Sequence, residues 1–110
     1  MIGADEMKSG RHKMAKVSYK VESDADDWHI SQGTDPDAMD LLFSHDHTEF
    51  EFDDLAPGFY IAQIAIRGED SKTGRLTISR PKYADKIINV SIDPGTGGGI
   101  NLRGFRVVEE

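Results

Sequence analysis

The sequence predicts an all-β protein, an antiparallel β-sandwich of seven or eight short strands. Three observations lead there. From Lys16 onward the dominant apolar period is two, turn chemistry recurs at the spacing of a sandwich or barrel, and no amphipathic helix of ordinary length appears. At 110 residues and 12.2 kDa, with 37% hydrophobic and 30% charged residues, the chain is sized for one ordinary core without a disulfide or metal staple.

Each element follows from local pattern. Val17, Tyr19 and Val21 alternate with Ser18, Lys20 and Glu22, the pattern of a strand with one buried face. A short strand over Trp28–Gln32 follows, and Gly33-Thr34-Asp35-Pro36-Asp37 is turn chemistry. Ala38–Phe43 is too short to declare its period, so one helical turn and a short strand both fit. Thr48–Leu55 sets Phe50 and Phe52 against Glu49 and Glu51, and Ala56-Pro57-Gly58 turns the chain. Phe59–Arg67 is the most apolar segment, which predicts a central strand buried on most of both faces. Gly68–Gly74 reads as a hairpin loop, Arg75–Ser79 as a strand with Leu76 and Ile78 inward, and Lys86–Ile92 as a strand aligning Ile88, Val90 and Ile92. Asp93–Gly99 leads to a last strand, Ile100–Val108. Residues 1–13 lack periodic patterning and read as a tail or leader, which leaves 14–110 as the sandwich domain and Met14 as a candidate natural start.

Composition excludes several classes. With no cysteine the chain cannot be a disulfide scaffold, a cysteine zinc finger, a thiol enzyme or an iron–sulfur protein, and the compartment stays open. No apolar run reaches the roughly eighteen residues of a helical membrane span, and no signal-peptide stretch opens the chain. Charge is uneven: residues 1–20 hold five basic and two acidic side chains, residues 21–55 hold twelve acids and no Lys or Arg, and residues 56–110 hold eight bases and six acids. The net charge is −7. Such a block repels phosphate and argues against nucleic acid, whereas it attracts a basic protein surface. The expected function is therefore a non-catalytic protein-binding or assembly module. Its contact surface lies in residues 22–54, with Asp35, Asp37 and Asp40 steering and Met39, Leu42 and Phe43 completing the contact. A metal- or small-ligand-binding β-domain using the acidic and His region is a second reading, and self-association through strand edges, as in a subunit of a larger particle, is a third.

The run Phe50–Leu55, Ala56-Pro57-Gly58, Phe59-Tyr60-Ile61-Ala62 resembles the strand, Leu-x-Pro-Gly-x-Tyr, strand hairpin of prealbumin-like sandwich modules. These include the carboxypeptidase regulatory-like domains and the collagen-adhesin B-type repeats, and immunoglobulin-like sandwiches use a similar corner. Val90-Ser91-Ile92-Asp93-Pro94-Gly95 and Ile100-Asn101-Leu102 are similar to their closing hairpin. The resemblance implies an immunoglobulin- or prealbumin-like spacer, recognition or assembly module. Some collagen-adhesin repeats carry a Lys–Asn isopeptide bond, but Lys16, Lys20, Asn89 and Asn101 show no specific pattern for one.

A divalent cation is the one cofactor for which ligand types are present. A strand beginning at His45 would send His45, His47, Glu49 and Glu51 to one face, and His and carboxylate suit zinc. Alternate strand positions stand nearly 7 Å apart, so a further ligand such as His29 would be required. Asp24, Asp26 and Asp27 are oxygen ligands of the kind calcium takes, although the loop lacks the Gly and Glu of an EF-hand. The plainer reading is a solvated polar face and a solvated acidic loop. Trp28 is expected in the core, the Gly95–Gly99 run lacks the Lys and following helix of a phosphate loop, and no Gly-x-Ser-x-Gly elbow is present. No catalytic residue is identified.

Overall fold

A computed structural model describes residues 15–109, so the tail expected over 1–13 lies outside the described residues. Eight strands follow one another: β1 Ala15–Ser23, β2 Asp27–Gly33, β3 Asp40–Ser44, β4 Glu49–Leu55, β5 Gly58–Arg67, β6 Thr73–Ser79, β7 Lys86–Ser91 and β8 Gly98–Val107. They form two four-stranded antiparallel sheets, β4-β1-β6-β7 and β3-β2-β5-β8. The segment Ala38–Phe43, undecided in sequence, supplies β3.

The expected alternation places the core. Val17, Tyr19 and Val21 of β1, Ala62, Ile64 and Ile66 of β5, and Leu76 and Ile78 of β6 are buried between the sheets, joined by Ile30, Ile88, Ile92, Phe105 and Val107. Fully burying such a side chain contributes about 1.5–3 kcal/mol before chain entropy is counted. Tyr19 meets Phe52 and Phe105 edge-on, and Phe43 stacks on Phe50 at 6.2 Å. Trp28, expected in the core, is half-buried and packs against it, and its Nε1 donates to the His47 carbonyl at 3.0 Å.

The turns connect differently from the expectation. Gly68–Gly74 is not a hairpin loop, because β5 and β6 belong to different sheets; the Leu-x-Pro-Gly-x-Tyr turn between β4 and β5 and the Gly-rich turn between β7 and β8 also cross the core. Only β2–β3 and β6–β7 are sequential hairpins among the described strands. Turn residues encode a reversal of direction, and whether the next strand lies beside its predecessor or opposite it depends on which faces bury. The crossings are pinned by backbone bonds, Asp26 N to Arg67 O at 3.0 Å and Gly68 N to Gly97 O at 3.1 Å. Where β8 passes β7, a Cβ on Gly99 would stand 2.0 Å from the Ser91 carbonyl oxygen, so only glycine permits the approach. Strand β5 is central in its sheet but buried on one face, with Phe59 still 51% exposed, because nothing among the described residues covers the outer side.

Candidate docking face and acidic rim

The outer face of the β3-β2-β5-β8 sheet is built row by row from register. His29, Ala65 and Ile100 form one row; Leu41, Ser31, Gln63 and Leu102 form the next; Gly33, Ile61 and Gly104 follow; Phe59 and Arg106 end the series. Leu41, Phe59, Ile100 and Leu102 are 60%, 51%, 62% and 39% exposed. A Cβ on Gly104 would fall 2.2 Å from Phe59 Cζ, so the tip of the Phe59 ring occupies the space over this glycine. Removing one side chain thereby lets another cover the strand, and the apolar stripe runs unbroken from Ile100 to Phe59.

The acidic block gathers at one side of the sandwich. Strands β3 and β4, the edges of their sheets on that side, carry Asp40, Glu49, Glu51, Asp53 and Asp54 and no Lys or Arg. Asp35 and Asp37 sit in the exposed β2–β3 turn, where Asp35 Oδ1 accepts from the Asp37 amide at 2.9 Å. Strands β7 and β8 carry Lys86, Arg103 and Arg106 and no acid. Of the expected contact residues, Asp35, Asp37 and Asp40 are exposed and Met39 is half-buried. Phe43 is not available, being 6% exposed in the core, and Leu42 packs against that core. The physical reason is a register shift: Ile30 pairs Phe43 and Ser31 pairs Leu41, so Leu42 is an extra residue. This bulge turns Leu41 outward, an exposed residue absent from the expected contact set.

The metal-ligand types are dispersed rather than gathered. His45 lies in the turn after β3, not on a strand, which removes the single-face arrangement with His47 and Glu49. Its Nδ1 stands 3.0 Å from Asp27 Oδ1, close enough to attract when the ring is protonated, though not aligned as a hydrogen bond. The other Asp27 oxygen is 3.8 Å from Arg67 Nη2 and 4.0 Å from His29 Nδ1. His47 pairs with Asp46 at 3.2 Å, and this contact holds the Asp46 carboxyl below the usual carboxylate range. Asp24 Oδ1 accepts from the Thr73 amide at 2.9 Å, and Asp26 donates its backbone amide to the Arg67 carbonyl at 3.0 Å. Glu49 lines a groove on the outer face of the other sheet with Glu22, Glu51 and Lys20. Among the described residues no group of three or more His, Asp or Glu side chains is placed to hold a metal ion. Asn89 accepts from Arg75 through its side chain and from Asn101 through its carbonyl.

Sequence reasoning also missed Arg80, whose guanidinium lies over the Tyr83 ring at 4.7 Å and the Phe105 ring at 5.7 Å. A basic residue after a strand gives no signal of such stacking. Fold and surface together define an eight-stranded sandwich with one bare apolar sheet face and one acidic edge. No family model matches the chain, and no similar curated protein or solved structure is found.

Proposed function

We propose that this domain is a non-catalytic protein-binding or assembly module of the immunoglobulin- or prealbumin-like kind. Its acidic edge draws in a basic partner, and the neighbouring apolar face completes the contact. The observation that carries this reading is the gathering of large exposed hydrophobics: of the six, Leu41, Phe59, Ile100 and Leu102 share one face. Isolated exposed apolar residues are ordinary, whereas a contiguous patch rimmed by charge marks an interaction site. The sandwich kinship is supported by the β4–β5 corner, where Tyr60 donates its hydroxyl to the Ala56 carbonyl at 2.7 Å, the bond of a tyrosine corner.

The test is capture of a panel of basic proteins on the immobilised domain, at low and high salt. Binding that weakens with salt and is lost in Leu102→Asp is expected. Salt-independent binding removes the steering role of the acids. Binding unchanged by Leu102→Asp removes the face.

A further inference from the structure

We infer that the outer face of the β3-β2-β5-β8 sheet pairs with the same face of a second copy of this chain, across a two-fold axis parallel to the strands. This rests on the binding-module reading and takes the basic β8 rim of a second copy, not a basic protein as a whole, as the surface the acidic side meets. The argument is register and charge. A two-fold along the strands keeps every residue at its own height and exchanges the two rims of the sheet, so β3 of one copy lies over β8 of the other and β2 over β5. Leu41 and Leu102 occupy opposite ends of one row, Leu41-Ser31-Gln63-Leu102, so each Leu41 faces the second copy's Leu102. At the Phe59 end, Arg106 is outermost on the β8 side and the exposed Asp35–Asp37 turn continues β2 on the β3 side. Rim exchange brings Arg106 of each copy to the acidic turn of the other.

An axis in the plane of the face but perpendicular to the strands superposes β3 on β3 with heights reversed, which carries Arg106 away from the acidic turn of the other copy. Charge therefore favours the axis along the strands. Four strands about 4.8 Å apart and seven residues of about 3.3 Å give a projected footprint on the order of 450 Å² per copy, and side-chain relief enlarges it toward the small end of stable interfaces. A concentration-dependent dimer follows, not a permanent one.

Sedimentation of the full chain over rising concentration tests this. The weight-average mass should climb from 12.2 kDa toward twice that value. Leu102→Asp should hold the monomer mass while keeping its thermal melt, since the site is exposed. Arg106→Asp should weaken dimerisation, and adding Asp35→Arg and Asp37→Arg to it should restore it. Because the natural chain has no cysteine, Leu41→Cys and Leu102→Cys copies can be mixed with a short bismaleimide, which spans the ~10 Å between packed sheets that a disulfide cannot. Linked species should form in the mixture in preference to either variant alone. A monomer at every concentration, or a dimer indifferent to Leu102→Asp, overturns the pairing. If the chain stays monomeric yet captures basic proteins in a salt-sensitive way that Leu102→Asp abolishes, only the choice of partner fails. If that capture fails too, the module reading falls with it.

Discussion

Tyr19 reaches from β1 across the core and donates its hydroxyl to Gln32 Oε1 on β2, a polar link between the sheets with both residues under a tenth exposed. Burial, with the nearby Tyr60 phenol adding to it, pushes the Tyr19 hydroxyl well above the usual tyrosine range. The folded state thus keeps a proton that the unfolded chain gives up near pH ~10. That contribution is full below pH ~10 and is lost as pH rises further, so thermal melts should fall steeply in strong alkali and more gently in Tyr19→Phe. Tyr60, also raised by burial, leaves some slope behind. At neutral pH, Tyr19→Phe strands a buried carbonyl and should cost about 1–3 kcal/mol, much of it recovered by Tyr19→Phe with Gln32→Leu. Recovery absent from the double variant would mean that the hydroxyl acts other than through Gln32. The inward direction of Tyr19 was legible from its place between Val17 and Val21. Its partner was not, because a Gln on a strand shows no preference for a particular residue 13 positions away.

Regular strands were legible and their irregular junctions were not. Period two located β1, β5, β6 and β7, which bury alternate positions, and β4 as far as Phe52, beyond which its register with β1 shifts and Asp53 and Asp54 are both exposed. It gave no answer for β3, where the extra Leu42 opposite Ile30 and Ser31 breaks the alternation and exchanges Leu41 for Phe43 as the outward residue. Gly74 shows a second limit. Read as the end of a loop, it lies inside β6, and a Cβ there would meet Ile66 Cγ2, Ile64 Cδ1 and Val90 Cγ1 at 3.1–3.3 Å. Glycine at this position is a packing residue, so Gly74→Val should destabilise by about 1–3 kcal/mol through overpacking, measured by denaturant melts. An unchanged midpoint would show that Ile64, Ile66 and Val90 yield freely. The β4–β5 corner offers a milder test. Removing the Tyr60 hydroxyl in Tyr60→Phe should cost about 0.5–1.5 kcal/mol, the net worth of one hydrogen bond. A loss within error would show that Pro57 and the strand register hold the corner without it.

For the molecule as a whole, crossing connections stack the edges β3 and β4 on one side of the sandwich, which concentrates an acidic block that is merely continuous in sequence. Charge and composition revealed the block; only topology shows that it becomes an edge. An open strand edge invites pairing with other chains, and charged side chains along it discourage that pairing. The same charges repel one another and strain the fold, so the two effects should separate on neutralisation. Asp40→Asn, Glu51→Gln and Asp53→Asn together should raise the melting temperature modestly at low salt, while the natural chain should gain stability when salt is added, because screening relieves the same repulsion. The triple variant should respond less to salt, since fewer like charges remain to be screened. Light scattering should show the cost: the neutralised edge should aggregate more readily on standing, by strand pairing that the acids now oppose. A variant that melts lower at low salt would mean that these acids stabilise the edge through specific partners. A variant that melts higher without aggregating would mean that their separation on the edge serves partner attraction alone.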